Sequence, residues 1–170
     1  MSRAVPPNPP THARAPSAPG TPAPGASLAV GLRATVRAAV TESDTASAMG
    51  SGDVPVLATP RLLALAEAAA FAAVAPQLAE GLTTVGTSVS LEHRRASPLG
   101  AEIVVEAELT EVAGSRLVFR FIARVDGTDE DVVLGAGTVE RVVVDRARFV
   151  ARVGAEKADA GRGPTNEAAG

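Results

Sequence analysis

Residues 59–76, TPRLLALAEAAAFAAVAP, decide how the rest of the chain is read. The stretch opens on helix punctuation. Thr59 suits an N-cap, and Pro60 suits the first helical position, where its missing N–H would be unpaired anyway. Pro76 closes the run. From Leu62 to Ala75 the side chains are apolar on every side instead of along one stripe, so the helix should be buried all round. Alanine suits such a helix because it lets strands approach closely. Glu67 is its only charge.

Outward from the helix, period-two alternation predicts strands. Before it, from about Leu28 to Val40, Leu28, Val30, Leu32, Val36 and Val40 share one face, and Arg33, Thr35 and Arg37 the other. A polar loop over 41–53 follows. Beyond the helix, residues 83–95 place Val85, Thr87, Val89, Leu91 and His93 on one face. Next, Ile103, Val105, Ala107 and Leu109 oppose Glu102, Glu106 and Glu108. A Gly114-Ser115 turn leads to Leu117, Phe119, Phe121, Ala123 and Val125, opposed by Arg116, Arg120 and Arg124. The Glu and Arg rows predict an antiparallel hairpin with cross-strand charge pairs. A last strand over about 131–145 holds Gly135 and Gly137, signs of a bend or bulge. Strand, buried helix, four meandering strands: the expected class is α+β, a hotdog fold with one central helix wrapped by about five antiparallel strands.

The chain of 170 residues fits one domain with tails. Residues 1–27 are rich in Pro, Ala, Gly and Ser and are expected to be disordered, as is 154–170, leaving 28–153 as the domain. Aromatic content is 2%, so the core must come from Ala, Val, Leu and Ile, and no stacking platform for single-stranded nucleic acid exists. A net charge of −3 gives no basic footprint for nucleic acid or anionic membranes. Zero cysteine excludes disulfides, thiolate metal sites and a Cys nucleophile. Two histidines, one of them His12 in the proline-rich tail, cannot build a multi-histidine metal site in one copy. No metal and no cofactor are expected. With no apolar run long enough to span a bilayer and no signal-peptide core, the cytoplasm is the expected location.

Glu67 is the informative position. A buried, unpartnered carboxylate costs several kcal/mol, and burial would raise its pKa toward the range useful to a general base or nucleophile. The bland alternatives are a carboxylate at a helix-side opening to solvent or a structural ion pair with Arg61 or Arg141. His93 falls in phase with the inward residues where its strand leaves the core, fitting either a catalyst or a hydrogen-bonded core residue. Thr59 has capping as its ordinary role. It also stands at a helix N-terminus, whose free N–H groups favour a developing oxyanion. Eight helical residues separate Thr59 from Glu67 by about 12 Å, so the two could flank an acyl group without touching one atom.

Ala58-Thr59-Pro60, Glu67 eight positions after Thr59, Gly86 and His93 seven apart, and Gly137-Thr138-Val139-Glu140-Arg141 together resemble the fluoroacetyl-CoA thioesterase-like hotdog proteins. The similarity covers about residues 30–152. It implies an acyl-CoA thioesterase with Thr59, Glu67 and His93 as the catalytic set, and Gly86 and Arg141 contacting substrate. It also implies a homodimer with active sites between subunits, which fits a domain too small to enclose a CoA thioester. One departure stands out. The fluoroacyl-selective branch carries aromatic residues ahead of the helix, and Ser51-Gly52-Asp53-Val54-Pro55 has none, which argues against fluoroacetyl selectivity.

The expected mechanism uses Glu67 as base or nucleophile, with His93 orienting it and relaying the proton, and Thr59 and the Gly86 N–H polarising the carbonyl. Three rival readings differ from this in what they require of the sequence. An acyl-CoA-binding module would have the same pocket without turnover. A hotdog dehydratase needs a closely spaced Asp–His pair that does not surround His93. A Ser-His-Asp hydrolase needs a G-x-S-x-G elbow that the chain lacks.

Overall fold

The computed structural model describes residues 28–127, 129 and 132–160. The predicted tail over 1–27 lies outside the described residues, as does 161–170. Five strands form one antiparallel sheet: β1 (Arg33–Ala39), β2 (Leu82–His93), β3 (Glu102–Ala113), β4 (Arg116–Val125) and β5 (Val133–Asp145). Their order is β1-β3-β4-β5-β2, so β1 and β2 are the edges. A short helix α1 (Ala46–Met49) precedes the long α2 (Thr59–Val74), and α3 (Arg146–Ala160) follows β5. Helix α2 packs mainly on β1 and β3 and reaches across to β2. The expected α+β hotdog arrangement is what the chain adopts.

The alternation read for β3 and β4 holds. Ile103, Val105, Ala107, Leu109, Leu117, Phe119, Phe121 and Ala123 are all fully buried against α2. Each large member contributes about 1.5–3 kcal/mol through burial. On the opposite face Glu108 pairs in register with Arg120, and their side chains meet at 3.3 Å. The irregularity expected near Gly135 is a register shift between β4 and β5 that leaves Leu134 without a partner on β4. Gly137 allows the strands to close: a Cβ there would overlap the Ser90 carbonyl and press on Phe121.

Five readings change. First, Ala58 is the N-cap of α2 and Thr59 its first helical residue, with no side-chain cap bond. Ala58 is pinned in extended conformation by donating its N–H to the Asp44 carbonyl at 2.8 Å, and its own carbonyl takes the first helical N–H groups. Second, α2 is not covered on every side. Leu62, Leu65, Ala66, Ala69, Ala70, Ala73 and Val74 are buried, but Ala64 and Ala68 are exposed, because a single five-stranded sheet covers only one side of a helix. Third, Val30 does not join a strand. It lies in a turn, 61% exposed, and β1 begins only after Gly31, whose φ of 94° suits glycine. Fourth, β2 carries a bulge at Thr87, between Gly86 paired with Arg141 and Ser88 paired with Glu140. The extra residue switches the facing set from even to odd positions. Thr84 and Gly86 face the helix side before the bulge, and Val89, Leu91 and His93 after it. Fifth, α3 continues through Gly154 to Ala160, past the point where the sequence reading begins the C-terminal tail. No helix among the described residues is long and apolar enough to cross a membrane.

Candidate active site

The first turn of α2 delivers Thr59 and the end of β2 delivers His93. Because Ala58 already starts the helix, the Thr59 hydroxyl is free of capping duty, and its Oγ1 lies 3.0 Å from His93 Nδ1. Either group can be the donor, depending on the imidazole tautomer. His93 Nε2 is buried with no hydrogen-bond partner among the described residues. Burial pushes the His93 pKa below its ordinary value, and the Arg95 backbone opposes the shift. The neutral ring is therefore the favoured form near pH 7, able to act as base or as hydrogen-bond donor.

This pair sits in a cleft of ≈ 310 Å³ whose walls include Val54, Val56, Arg94 and Arg95. The loop forming the outer wall is tied to α2 by Asp44. Its carboxylate accepts from the Thr41 N–H at 2.9 Å and meets Arg61 Nε at 2.6 Å. Hydrogen bonds from Thr41, then the Arg61 charge, hold the Asp44 carboxyl below the usual range against the opposing effect of burial. Arg61, one of two partners expected for Glu67, is thus committed to the loop.

Two turns further along α2, Glu67 meets the other candidate. Arg141 Nη1 donates to Glu67 Oε1 at 3.0 Å. Arg141 is only 9% exposed, and Glu67 is 34% exposed. The same guanidinium donates through Nε to Thr84 Oγ1 at 2.9 Å and through Nη2 to the Thr84 carbonyl at 3.0 Å. Its carbon lies 6.0 Å from the centre of the Phe71 ring. Burial pushes the Arg141 pKa down and Glu67 pulls it back up, and an arginine stays charged under such opposing effects. The lone buried carboxylate expected from the sequence is therefore partly open and paired. Gly86, across the ladder from Arg141, makes room for it, since a Cβ at residue 86 would overlap Glu67 Oε1.

The five predicted residues thus fall into two groups on one helix: Thr59 with His93, and Glu67 with Gly86 and Arg141. His93 bonds Thr59 and not Glu67, so the expected direct orientation of Glu67 by His93 is absent within the chain. Helical geometry explains it, because eight residues set the groups about 12 Å apart. Thr84 and Asp44 were missed. The bulge hid which way Thr84 faces, whereas the Thr41-x-x-Asp44 capping box was available as a signal in the sequence. Among the described residues, no cluster of three or more His, Asp or Glu side chains could hold a metal ion.

The family model described as fluoroacetyl-CoA-specific thioesterase (FlK) matches residues 40–147. The fluoroacetyl-CoA thioesterase of Streptantibioticus cattleyicolor is 41% identical over 98 residues, 58% of this chain and 68% of that protein. A threonine-to-serine variant of the fluoroacetyl-CoA enzyme FlK, solved with acetyl-CoA, superposes with a TM-score of 0.69 at 32% identity, covering 76% of this chain and 98% of that one. A thioesterase superfamily member from Thermus thermophilus gives a TM-score of 0.69 at 27% identity, over 78% of this chain and 96% of that one. The family match spans α2 and strands β2 to β5, and the chain belongs to the fluoroacetyl-CoA-specific thioesterase family, a family of thioester hydrolases.

Proposed function

We propose that this chain hydrolyses a small acyl-CoA thioester to free acid and CoA, with Glu67 as base or nucleophile and Thr59 and His93 as its partners. The observation that carries the reading is the Glu67 carboxylate. It is held by a buried Arg141, admitted by the missing side chain at Gly86, and still open to solvent. A purely structural ion pair has no need of that opening.

As a base, Glu67 takes a proton from the water that attacks the thioester carbonyl carbon. As a nucleophile, its oxygen attacks that carbon, CoA leaves as thiolate, and water cleaves the resulting anhydride. Thr59 and the Gly86 N–H polarise the carbonyl. The proton relay assigned to His93 runs through the Thr59 hydroxyl, its hydrogen-bond partner. Arg141 acts here by orienting Glu67, in addition to the substrate contact that family resemblance suggests.

The working unit is a homodimer with its sites between subunits. Edge strand β2 is 12 residues long and, among the described residues, unpaired on one side, and the exposed Ala64 and Ala68 lie on the helix that carries Glu67. Both features invite a second copy. An acyl-CoA substrate and a chain without cysteine fit the reducing cytoplasm. Without an aromatic residue in 51–55, acyl groups other than fluoroacetyl are the better candidates.

The test is a panel of acyl-CoAs assayed with a free-thiol reagent, on the wild type and on Glu67→Gln. Thiol release by the wild type and its loss in the variant is the expected result. Binding of every acyl-CoA with no release would make the protein an acyl-CoA-binding module instead.

A further inference from the structure

We infer that Arg94 and Arg95 form the subsite for the phosphates of the CoA moiety, with Arg95 the principal contact. The inference rests on the acyl-CoA reading above and adds to it the part of the substrate farthest from the reacting carbon. Both side chains line the mouth of the cleft that holds Thr59 and His93. Their backbone is fixed, since the N–H groups of Arg94 and Arg95 both donate to the Leu134 carbonyl, at 2.8 and 3.2 Å.

Of the two arginines that line this cleft, charge pairing favours Arg95. Arg33, Arg37, Arg61, Arg116, Arg120 and Arg141 each have a carboxylate partner. Arg94 is held by Glu92, whose Oε2 accepts from Nε at 3.0 Å and from Nη2 at 2.7 Å. Arg95 is exposed and has no carboxylate partner among the described residues, in a chain whose net charge is −3. An unneutralised guanidinium at the entrance of a cleft attracts anions and can take phosphate oxygens in bidentate fashion.

In an acyl-CoA the thioester and pantetheine arm are neutral, and the negative charge is concentrated on the distal phosphates. With the carbonyl held along α2, the arm must leave through the cleft mouth. Arg95 stands no more than about 7 Å of chain beyond His93, on that exit. The opposite wall at Val54 and Val56 is apolar, so the cleft is graded from an apolar wall to a cationic rim.

A carboxylate on a dicarboxylic acyl group shares the same anion chemistry, and the probes separate the two sources. Binding of CoA and of pantetheine is measured by calorimetry on the full chain and on Arg95→Ala, Arg95→Glu and Arg95→Lys. Hydrolysis of acetyl-CoA, S-acetylpantetheine and S-succinylpantetheine is followed in parallel. The expected result is that wild type binds CoA at least about 10-fold tighter than pantetheine. Arg95→Ala should cut that margin about 10-fold, Arg95→Glu should cut it further, and Arg95→Lys should restore part of it, all with unchanged circular dichroism. High salt should narrow the wild-type margin. Arg95→Ala binding CoA as the wild type does overturns the inference, as does an effect confined to the succinyl substrate. CoA bound through Arg95 by a protein that cleaves no acyl-CoA supports the subsite and sinks the thioesterase reading. Cleavage with CoA held no tighter than pantetheine does the opposite.

Discussion

Replacing Gly86 by alanine tests how Glu67 is placed. An ideal Cβ at residue 86 overlaps Glu67 Oε1 and comes within 3.3 Å of its Cδ and 3.7 Å of Arg141 Nη1. The obstacle is the far end of a flexible side chain, so the backbone need not move, and the carboxylate must swing off Arg141. That loses one charge-assisted hydrogen bond, about 1 kcal/mol once the partial exposure of Glu67 is allowed for. Replacing glycine in a strand returns roughly 0.5–1 kcal/mol of unfolded-state entropy. The two nearly cancel, so Tm should move little. Turnover should behave differently: kcat/KM should fall by about 10²-fold or more if Glu67 performs proton transfer or attack. A contact between substrate and Gly86 would also be lost, so the variant belongs in a cycle with Glu67→Ala. If alanine acts through Glu67, the double variant should be no slower than Glu67→Ala alone. Multiplicative losses would mean that Gly86 serves the substrate directly. A Gly86→Ala protein with a rate within a few-fold of wild type would refute the placement argument, and a large loss of stability would refute the energetic one.

Glu67→Gln should abolish turnover and lower stability by about 1 kcal/mol, followed by far-UV circular dichroism, because a buried Arg141 loses its anion; a more stable variant would contradict that pairing. His93 titrates below its ordinary value, so the unfolded chain binds more protons in acid. Its contribution to stability should be complete above about pH 6.5 and decline as pH falls through the lower folded value, and His93→Gln should flatten that part of the profile. Asp44→Asn should loosen the loop against Arg61 and raise KM more than it lowers kcat, because it touches the cleft wall and not the reacting groups; an equal fall in kcat would place Asp44 closer to the chemistry. Light scattering at assay concentration should report a dimer, and an active monomer would remove the shared-site proposal.

How much could be read beforehand follows from what each signal contains. Alternation specified β3 as far as Leu109 and β4 from Leu117 to Ala123, because there one face is packed against α2; the register shift between Leu109 and Glu111 left no mark in the residue types. In β2 the same alternation misplaced Thr84, Val85 and Thr87, since one bulged residue reverses the facing set while leaving the string of residue types almost unchanged. At the helix start, Ala58-Thr59-Pro60 offered a better capping side chain at Thr59, but the Asp44 carbonyl fixes Ala58 from outside the local sequence. That shift of one residue matters chemically. A capping hydroxyl is occupied by backbone N–H groups, and a hydroxyl at the first helical position is free to meet His93.

The largest mismatch concerns the apolar character of α2, and it bears on assembly. Residues 62–75 carry one charge, yet the sheet leaves Ala64 and Ala68 exposed and Glu67 partly so. A helix composed for burial on all sides but covered on one fits the second copy proposed above. The same open side carries Glu67, and the edge strand that limits it carries Gly86 and His93. Covering that side with a second copy would bury the alanines, pair the edge and narrow the space in front of Glu67 in a single step. Dimerisation and completion of the site are then one event, so a substitution such as Ala68→Glu should lower dimer affinity and turnover together. A monomeric Ala68→Glu protein with full activity would separate the two and return the whole site to one chain.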